Sequence, residues 1–112
     1  VLGTEAIGQI QFPRVADPAR ARAVLLRRSF EVVRLANECV PGLVARGGGF
    51  RRMQLRVLPR PDQPGFSMLV VHLYCDPCDA MGANLINQAC EMVSEVLAEW
   101  IGETVGLRIL SN

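Results

Sequence analysis

The pattern of apolar and polar positions predicts four β-strands. Residues 6–12 alternate, with Gly8, Ile10 and Phe12 on one face and glutamines on the other, as in a half-buried strand. Residues 52–57 alternate in the same way. Residues 66–74 are almost continuously apolar, which predicts a central strand paired antiparallel with the one before it, across a proline- and glycine-rich turn. A short last strand is expected at residues 105–109, with Arg108 on its solvated face.

Two stretches repeat apolar residues at helical spacing. The first begins at Asp17-Pro18, an N-cap acid followed by a proline suited to the first helical position, and ends before Pro41-Gly42. Residues 43–50, with their glycine triplet, read as a loop. The second helix covers residues 85–101 and ends at Gly102. Its expected buried positions are Leu85, Ile86, Ala89, Met92, Val93, Val96, Leu97 and Trp100.

The order βαββαβ predicts an α+β, ferredoxin-like fold, in which two helices cover one face of a four-stranded antiparallel sheet. A chain of 112 residues is expected to form a single domain. No apolar run approaches the roughly 20 residues of a membrane helix, and no secretory signal is visible. We therefore expect a cytoplasmic protein that has no membrane partner. A net charge of +1 argues against nucleic-acid binding through bulk charge.

The start of the second helix carries the main candidate site. Asp79 occupies the expected N-cap position. Gly82 lies one turn further on, where glycine is unfavourable in a helix, so that a ligand or another stretch of backbone is expected close by. Free N–H groups and the helix dipole favour phosphate binding there. The residue types alone leave an ordinary capped helix as an equally good explanation.

The same segment resembles the cofactor signature of 3-hydroxy-3-methylglutaryl-coenzyme A (HMG-CoA) reductase. The signature residues are Asp79-Ala80-Met81-Gly82-Ala83-Asn84 followed by Asn87, and alanine at position 83 is similar to the class II bacterial form. Further similarity, in the order expected for the small domain of that enzyme, lies in residues 25–28, 35–37, 47–49 and 107–112. The resemblance therefore covers nearly the whole chain, and it implies the same ferredoxin-like architecture.

The resemblance implies a site for NAD or NADP. Its expected cofactor-binding residues are Asp79, Ala80, Met81, Gly82, Asn84, Asn87, Gly48, Gly49, Glu38 and Asn112. Gly48 and Gly49 can offer only backbone groups, and Arg51 and Arg52 beside them are further candidates for a phosphate. Enzymes of class II that use NAD carry an acid at the position of Val40. We therefore consider that Glu38 takes over that role or that the choice between NAD and NADP is relaxed.

The implied activity is the interconversion of HMG-CoA and mevalonate plus coenzyme A, a step of isoprenoid metabolism. The resembled enzyme uses a glutamate, a lysine, an aspartate and a histidine, whereas all twelve basic residues here are arginine and His72 is the single histidine. No catalytic residue is therefore predicted in this chain. We expect an inactive fragment of a longer enzyme, which reaches HMG-CoA or mevalonate through a large domain and works as a homodimer.

The residues also allow two other functions. Cys75 and Cys78 have the spacing of a metal or redox pair, which makes a ferredoxin-like metal-handling module the first alternative. A closed zinc site needs four ligands, so the pair alone is a weak signal. The second alternative is a single-stranded nucleic-acid binder, which needs exposed aromatic residues such as Phe12, Phe66 and Tyr74. Within its apolar strand, His72 reads as a structural side chain.

Overall fold

The computed structural model describes residues 5–111. It contains four strands and four helices: β1 Ala6–Val15, α1 Pro18–Arg27, α2 Ser29–Glu38, α3 Pro41–Ala45, β2 Gly49–Pro59, β3 Ser67–Asp76, α4 Ala80–Ile101 and β4 Arg108–Ser111. None of the helices in this part of the chain is long and apolar enough to cross a membrane.

The strands form one antiparallel sheet in the order β2-β3-β1-β4. This order follows from a split βαβ unit, in which β3 lies between β1 and β2. The helices cover one face, and the core lies between them and the sheet. Its fully buried side chains include Ile10 and Phe12 from β1, Leu73 from β3, and Ile86 and Leu97 from α4. The predicted α+β fold class is confirmed.

The prediction of one long helix after β1 was wrong, because the segment breaks at Arg28. Its backbone leaves helical geometry at φ −108° and ψ 20°. The Arg28 guanidinium lies 3.5 Å from the centre of the Trp100 ring and donates to both carboxylate oxygens of Glu31, at 2.8 and 2.9 Å. A further helix, α3, begins at Pro41 and extends to Ala45, into the stretch 43–50 that was expected to be loop.

Arg108 is exposed, as predicted, but it lies on the face of β4 that is turned toward the helices rather than on the opposite face. Arg108 pairs with Ile10 of β1, and Leu110 pairs with Gly8. Ile10 and Gly8 are buried and lie on the face of the sheet that the helices cover. Arg108 Nη1 accordingly lies 3.4 Å from Ser94 Oγ on α4, while Leu107 and Ile109 are exposed. Three alternating residues were too few to fix the register, which the pairing with β1 decides.

Helix α4 follows its predicted pattern with one exception. Asp79 is the N-cap, and Gly102 ends the helix in the left-handed conformation at φ 71°. Met92, predicted to be in the core, is 59% exposed. On a helical wheel it lies far from Ile86 and Val93, which define the buried face.

Candidate functional site

The turn that precedes α4 packs tightly against the first turn of that helix. A Cβ atom at Gly82 would lie 1.6 Å from the carbonyl oxygen of Pro77 and 3.1 Å from Leu43 Cδ1. Only glycine therefore fits at this position. Of the two reasons predicted for it, a neighbouring backbone rather than a ligand accounts for Gly82.

The glycine loop before β2 lies directly against the same turn. A Cβ atom at Gly48 would lie 2.6 Å from the Asp76 carbonyl oxygen and 2.7 Å from Cys78 Sγ. Next to it, Asn37 binds both backbone groups of Phe50, accepting from its N–H at 2.7 Å and donating to its carbonyl at 3.0 Å. The structure thus brings the predicted loop and the predicted helix start together, with Gly48 and Gly49 buried.

An ion pair joins the start of α4 to the end of α3. Asp79 accepts from the Gly82 N–H at 2.8 Å through one oxygen and from Arg46 Nη1 at 3.0 Å through the other. The Gly82 hydrogen bond first, and then Arg46, lower the pKa of the Asp79 carboxyl. Sequence reasoning missed Arg46, since nothing in the pattern indicates that residues 33 positions apart meet here.

The helix start is open to solvent on its outer side. Residues 78–81 are exposed, and Met81 is exposed over 69% of its surface. Asn84 and Asn87 are also exposed, and residues three apart in a helix project from neighbouring turns on one side. The segment therefore presents two side-chain amides and the Arg46 guanidinium next to an accessible first turn.

The charges and amides at the helix start determine which ligand groups are favoured there. Asp79 already occupies the Gly82 N–H and brings a negative charge to the helix start. The Arg46 guanidinium binds Asp79 through Nη1 and is half-exposed, so its remaining donors are available to a phosphate. The amides of Asn84 and Asn87 can donate to and accept from the polar groups of a nucleotide.

The two arginines beside the glycine loop have other partners. Arg51 donates to the Gly47 carbonyl at 2.9 Å and lies 3.5 Å from Asp76. Arg52 binds Glu5 at 3.2 Å, and its guanidinium lies 3.9 Å from the centre of the Tyr74 ring. Asp76 also accepts from the Cys78 N–H at 2.9 Å, so Arg51 lies near the turn that leads into α4.

The structure does not bring Glu38 to the helix start. Glu38 is exposed at the end of α2, and Val40 is buried. The Sγ of the adjacent Cys39 lies 3.6 Å from Met92 Sδ, and Met92 stands about 20 Å from Asp79 along the helix axis. Asn112, the remaining predicted residue, lies outside the described residues.

The cysteine pair does not form a metal centre. Cys75 is fully buried and donates to the Ala6 carbonyl, whereas Cys78 is exposed. Burial is the main cause that raises the pKa of the Cys75 thiol to about 11, which disfavours the thiolate that a metal requires. No group of three or more potential ligands occurs within residues 5–111.

The open face of the sheet gives no support to a nucleic-acid site. Phe12, one of the three aromatic residues considered, is fully buried in the core. His72 lies half-buried with Nε2 3.2 Å from Gln9 Oε1, and burial followed by the nearby charge of Arg56 lowers its pKa. This histidine is a sheet residue with a hydrogen-bond partner, as predicted.

Comparisons with known proteins agree with this geometry. A family model described as hydroxymethylglutaryl-coenzyme A reductase matches residues 3–112. A 3-hydroxy-3-methylglutaryl-coenzyme A reductase from Archaeoglobus fulgidus is 43% identical over 98% of this chain and 24% of its own length. A probable reductase of the same name from Borreliella burgdorferi is 40% identical over 60% of this chain and 14% of its own length.

A solved structure shares the fold. The class II 3-hydroxy-3-methylglutaryl-CoA reductase from Streptococcus pneumoniae, bound to NADPH in open conformations, superposes with a TM-score of 0.84 and 32% identity. The match covers 97% of this chain and 28% of that protein. The chain thus spans about a quarter of the length of the relatives it matches.

Proposed function

This chain belongs to the hydroxymethylglutaryl-coenzyme A reductase family, and from that we propose that it is the NAD(P)-binding small domain of such an enzyme. The observation that carries the proposal is the exposed start of α4, with Asn84, Asn87 and Arg46 around it, in a chain that matches the family over nearly its full length. The NADPH bound to the Streptococcus pneumoniae relative supports this choice of ligand.

The proposed reaction converts the thioester of HMG-CoA into the primary alcohol of mevalonate. The reduction consumes two molecules of NAD(P)H and two protons and releases coenzyme A as its thiol, and the reverse direction oxidises mevalonate. The nicotinamide supplies the hydride chemistry when it is bound. The residues of this domain supply position and charge.

The side chains have separate roles in the proposed complex. Arg46 neutralises phosphate charge, and Asn84 and Asn87 bind polar groups of the nucleotide through their amides. Asp79 keeps the first turn of α4 ordered. Glu38 is proposed to influence the choice between NAD and NADP, because a carboxylate accepts from a ribose 2′-OH and repels a 2′-phosphate.

The reacting groups are proposed to lie outside these 112 residues. The family's catalytic set includes a lysine, and this chain has none. HMG-CoA and mevalonate are expected to bind through a large domain, in a homodimer of the complete enzyme. The 112-residue domain alone is therefore expected to be inactive.

A direct assay of the complete protein tests the proposal. HMG-CoA is incubated with NADPH or NADH, and mevalonate, free thiol and the oxidised cofactor are measured together. The expected result is two molecules of oxidised cofactor for each molecule of thiol released. Binding of NADPH without any thiol release would leave a cofactor-binding relative with another substrate, and failure to bind either cofactor would contradict the proposed site.

A further inference from the structure

The glycine loop before β2 begins as the cap of α3. Gly47 donates to the Val44 carbonyl at 2.9 Å, and Gly48 donates to the Leu43 carbonyl at 3.0 Å. Gly47 has a φ of 91°, so these two bonds close α3 in a Schellman motif. Arg46 is the C-cap residue of the same turn. The place of its guanidinium therefore depends on where this cap lies.

Helix α3 is too short to fix this cap by itself. It has five residues, whereas an isolated helix of fewer than about 12 residues is marginal in water. Leu43 is its one buried residue, so the packing of α3 against the rest of the domain depends on a single anchor. The other support of the loop must therefore act at its far end, where the chain enters β2 at Gly49.

Asn37, in the last turn of α2, meets the far end of the loop. Its amide oxygen accepts from the Phe50 N–H at 2.7 Å, and its amide nitrogen donates to the Phe50 carbonyl at 3.0 Å. The same side chain closes the space next to Gly49, where a Cβ atom would lie 2.6 Å from Asn37 Oδ1. Gly49 has a φ of 104°, which glycine adopts without strain. The loop is thus held between α3 and Asn37.

We propose that Asn37 is a positioning residue for the cofactor, because it fixes the glycine loop and, through the loop, the Arg46 guanidinium at the start of α4. This inference rests on the proposed function, in which Arg46 meets a phosphate. Asn37 acts without touching the ligand, since its amide oxygen and nitrogen both bind Phe50. Binding groups must be held within about 0.5 Å of their productive geometry. A looser loop therefore weakens cofactor binding.

Arg51 also contacts the loop but is the weaker support. It donates to the Gly47 carbonyl at 2.9 Å, and its side chain is half-exposed, so water competes for this bond. The two bonds of Asn37 are partly buried. Hydrogen bonds are stronger in such surroundings, and an unpaired backbone group is costly there. Loss of the Asn37 amide should therefore displace the loop.

A double-mutant cycle in the complete protein tests this role. Isothermal titration with NADPH gives the Kd of the wild type, Asn37→Ala, Arg46→Ala and the double variant. Each single variant should raise Kd about tenfold. The double variant should bind within about threefold of Arg46→Ala, because Asn37 acts through Arg46 and the two losses do not add. In the reductase assay Asn37→Ala should raise the KM for NADPH and leave kcat within about twofold of wild type.

Two further variants separate positioning from general destabilisation. Ser94→Ala removes a buried hydroxyl that donates to the Glu91 carbonyl at 2.7 Å, far along α4 from its start. As the matched control, it should lower the melting temperature and leave the Kd for NADPH unchanged. Asn37→Asp keeps the shape of the side chain and the acceptor for the Phe50 N–H, so it should fold even if Asn37→Ala does not. Its loss of affinity should also largely disappear in the Arg46→Ala background.

The possible failures are distinguishable. Folded Asn37 variants with the wild-type Kd would overturn the positioning role, as would a double variant whose loss equals the product of the two single losses. An Arg46→Ala variant with wild-type affinity would overturn it too. In these cases the wild type still binds NADPH, and the proposed function stands. A wild-type protein that binds neither NADPH nor NADH would overturn the proposed function and this inference together.

Discussion

The residues of the 79–87 segment and its glycine loop fall into two groups with opposite surroundings. Gly82 and Gly48 are buried, and each lies against a backbone carbonyl that leaves no room for a side chain. The side chains of Met81, Asn84 and Asn87 are exposed. We call the first group the buried frame and the second the exposed side.

The comparison shows that a signature motif can contain residues required for packing as well as residues available to a ligand. The buried frame determines where the helix begins, and its sequence is dictated by packing alone. Packing does not require the amides of the exposed side, since polar side chains are ordinary on a helix surface. Their place in the segment that resembles the cofactor signature is what points to a ligand. Changes in the frame should therefore alter stability first, whereas changes on the exposed side should alter cofactor binding only.

The largest effect is expected for Gly82→Ala. The added methyl group would overlap the Pro77 carbonyl oxygen, and because backbone must move, the free energy of unfolding should fall by about 3 kcal/mol or more. Urea denaturation measures it. Gly42→Ala is the control, since no atom lies within 4 Å of its Cβ position, and it should be neutral or stabilising by up to about 1 kcal/mol. Equal denaturation midpoints for Gly82→Ala and wild type would contradict the conclusion that packing requires glycine at position 82.

A smaller loss is expected for Asp79→Ala, which removes the helix cap and the partner of Arg46. The melting temperature should fall by about 4–8 °C. The effect should depend on pH, since the pKa of Asp79 lies below the 3.8 of a free aspartate. Its contribution is complete above pH 3.8 and is lost as the pH falls through the lower folded-state value.

The pH dependence has its own control. Asp79→Asn can keep the cap but cannot titrate, so its melting temperature should lack the acid step attributed to Asp79. Wild-type and Asp79→Asn curves that run parallel from neutral to strongly acidic pH would show that the carboxylate contributes nothing through its charge.

On the exposed side, Asn84→Ala and Asn87→Ala should each raise the KM for the cofactor about tenfold, the effect of one lost hydrogen bond to a ligand. Stability should change by less than about 0.5 kcal/mol, because both side chains are in solvent. Steady-state kinetics and thermal melts of the complete enzyme separate the two effects. Gln88→Ala, on the same helix and also exposed, is the matched variant and should leave KM unchanged.

The smallest effect is expected for Glu38→Ala, because this residue lies away from the start of α4. Loss of the carboxylate should shift the ratio of rates with NADH and NADPH about two- to fivefold toward NADPH. The ratio is measured in the complete enzyme. An unchanged ratio removes Glu38 from cofactor selection and leaves that choice to groups such as Arg46.

Local pattern predicted most of the fold but not the contacts between distant residues. Alternation predicted β1 and β2, a continuous apolar run predicted β3, and the cap signals predicted both ends of α4. At the break, Arg28 lies against Trp100, far away in the chain, and helical spacing could not reveal that contact. The same holds for Arg46 and Asp79. Motif resemblance identified the segment of interest, whereas only packing could show that Gly82 serves the neighbouring backbone.

The hydrogen bonds of Asn37 to Phe50 also affect how this domain behaves at high concentration. β2 is an edge strand, and the backbone groups that Asn37 occupies at its beginning are no longer available to an incoming strand. Pro59 lacks an N–H at the other end, and the arginines between would repel a second edge of the same kind. We therefore expect the free edge of β2 to resist the addition of further strands that would lead to fibril-like growth.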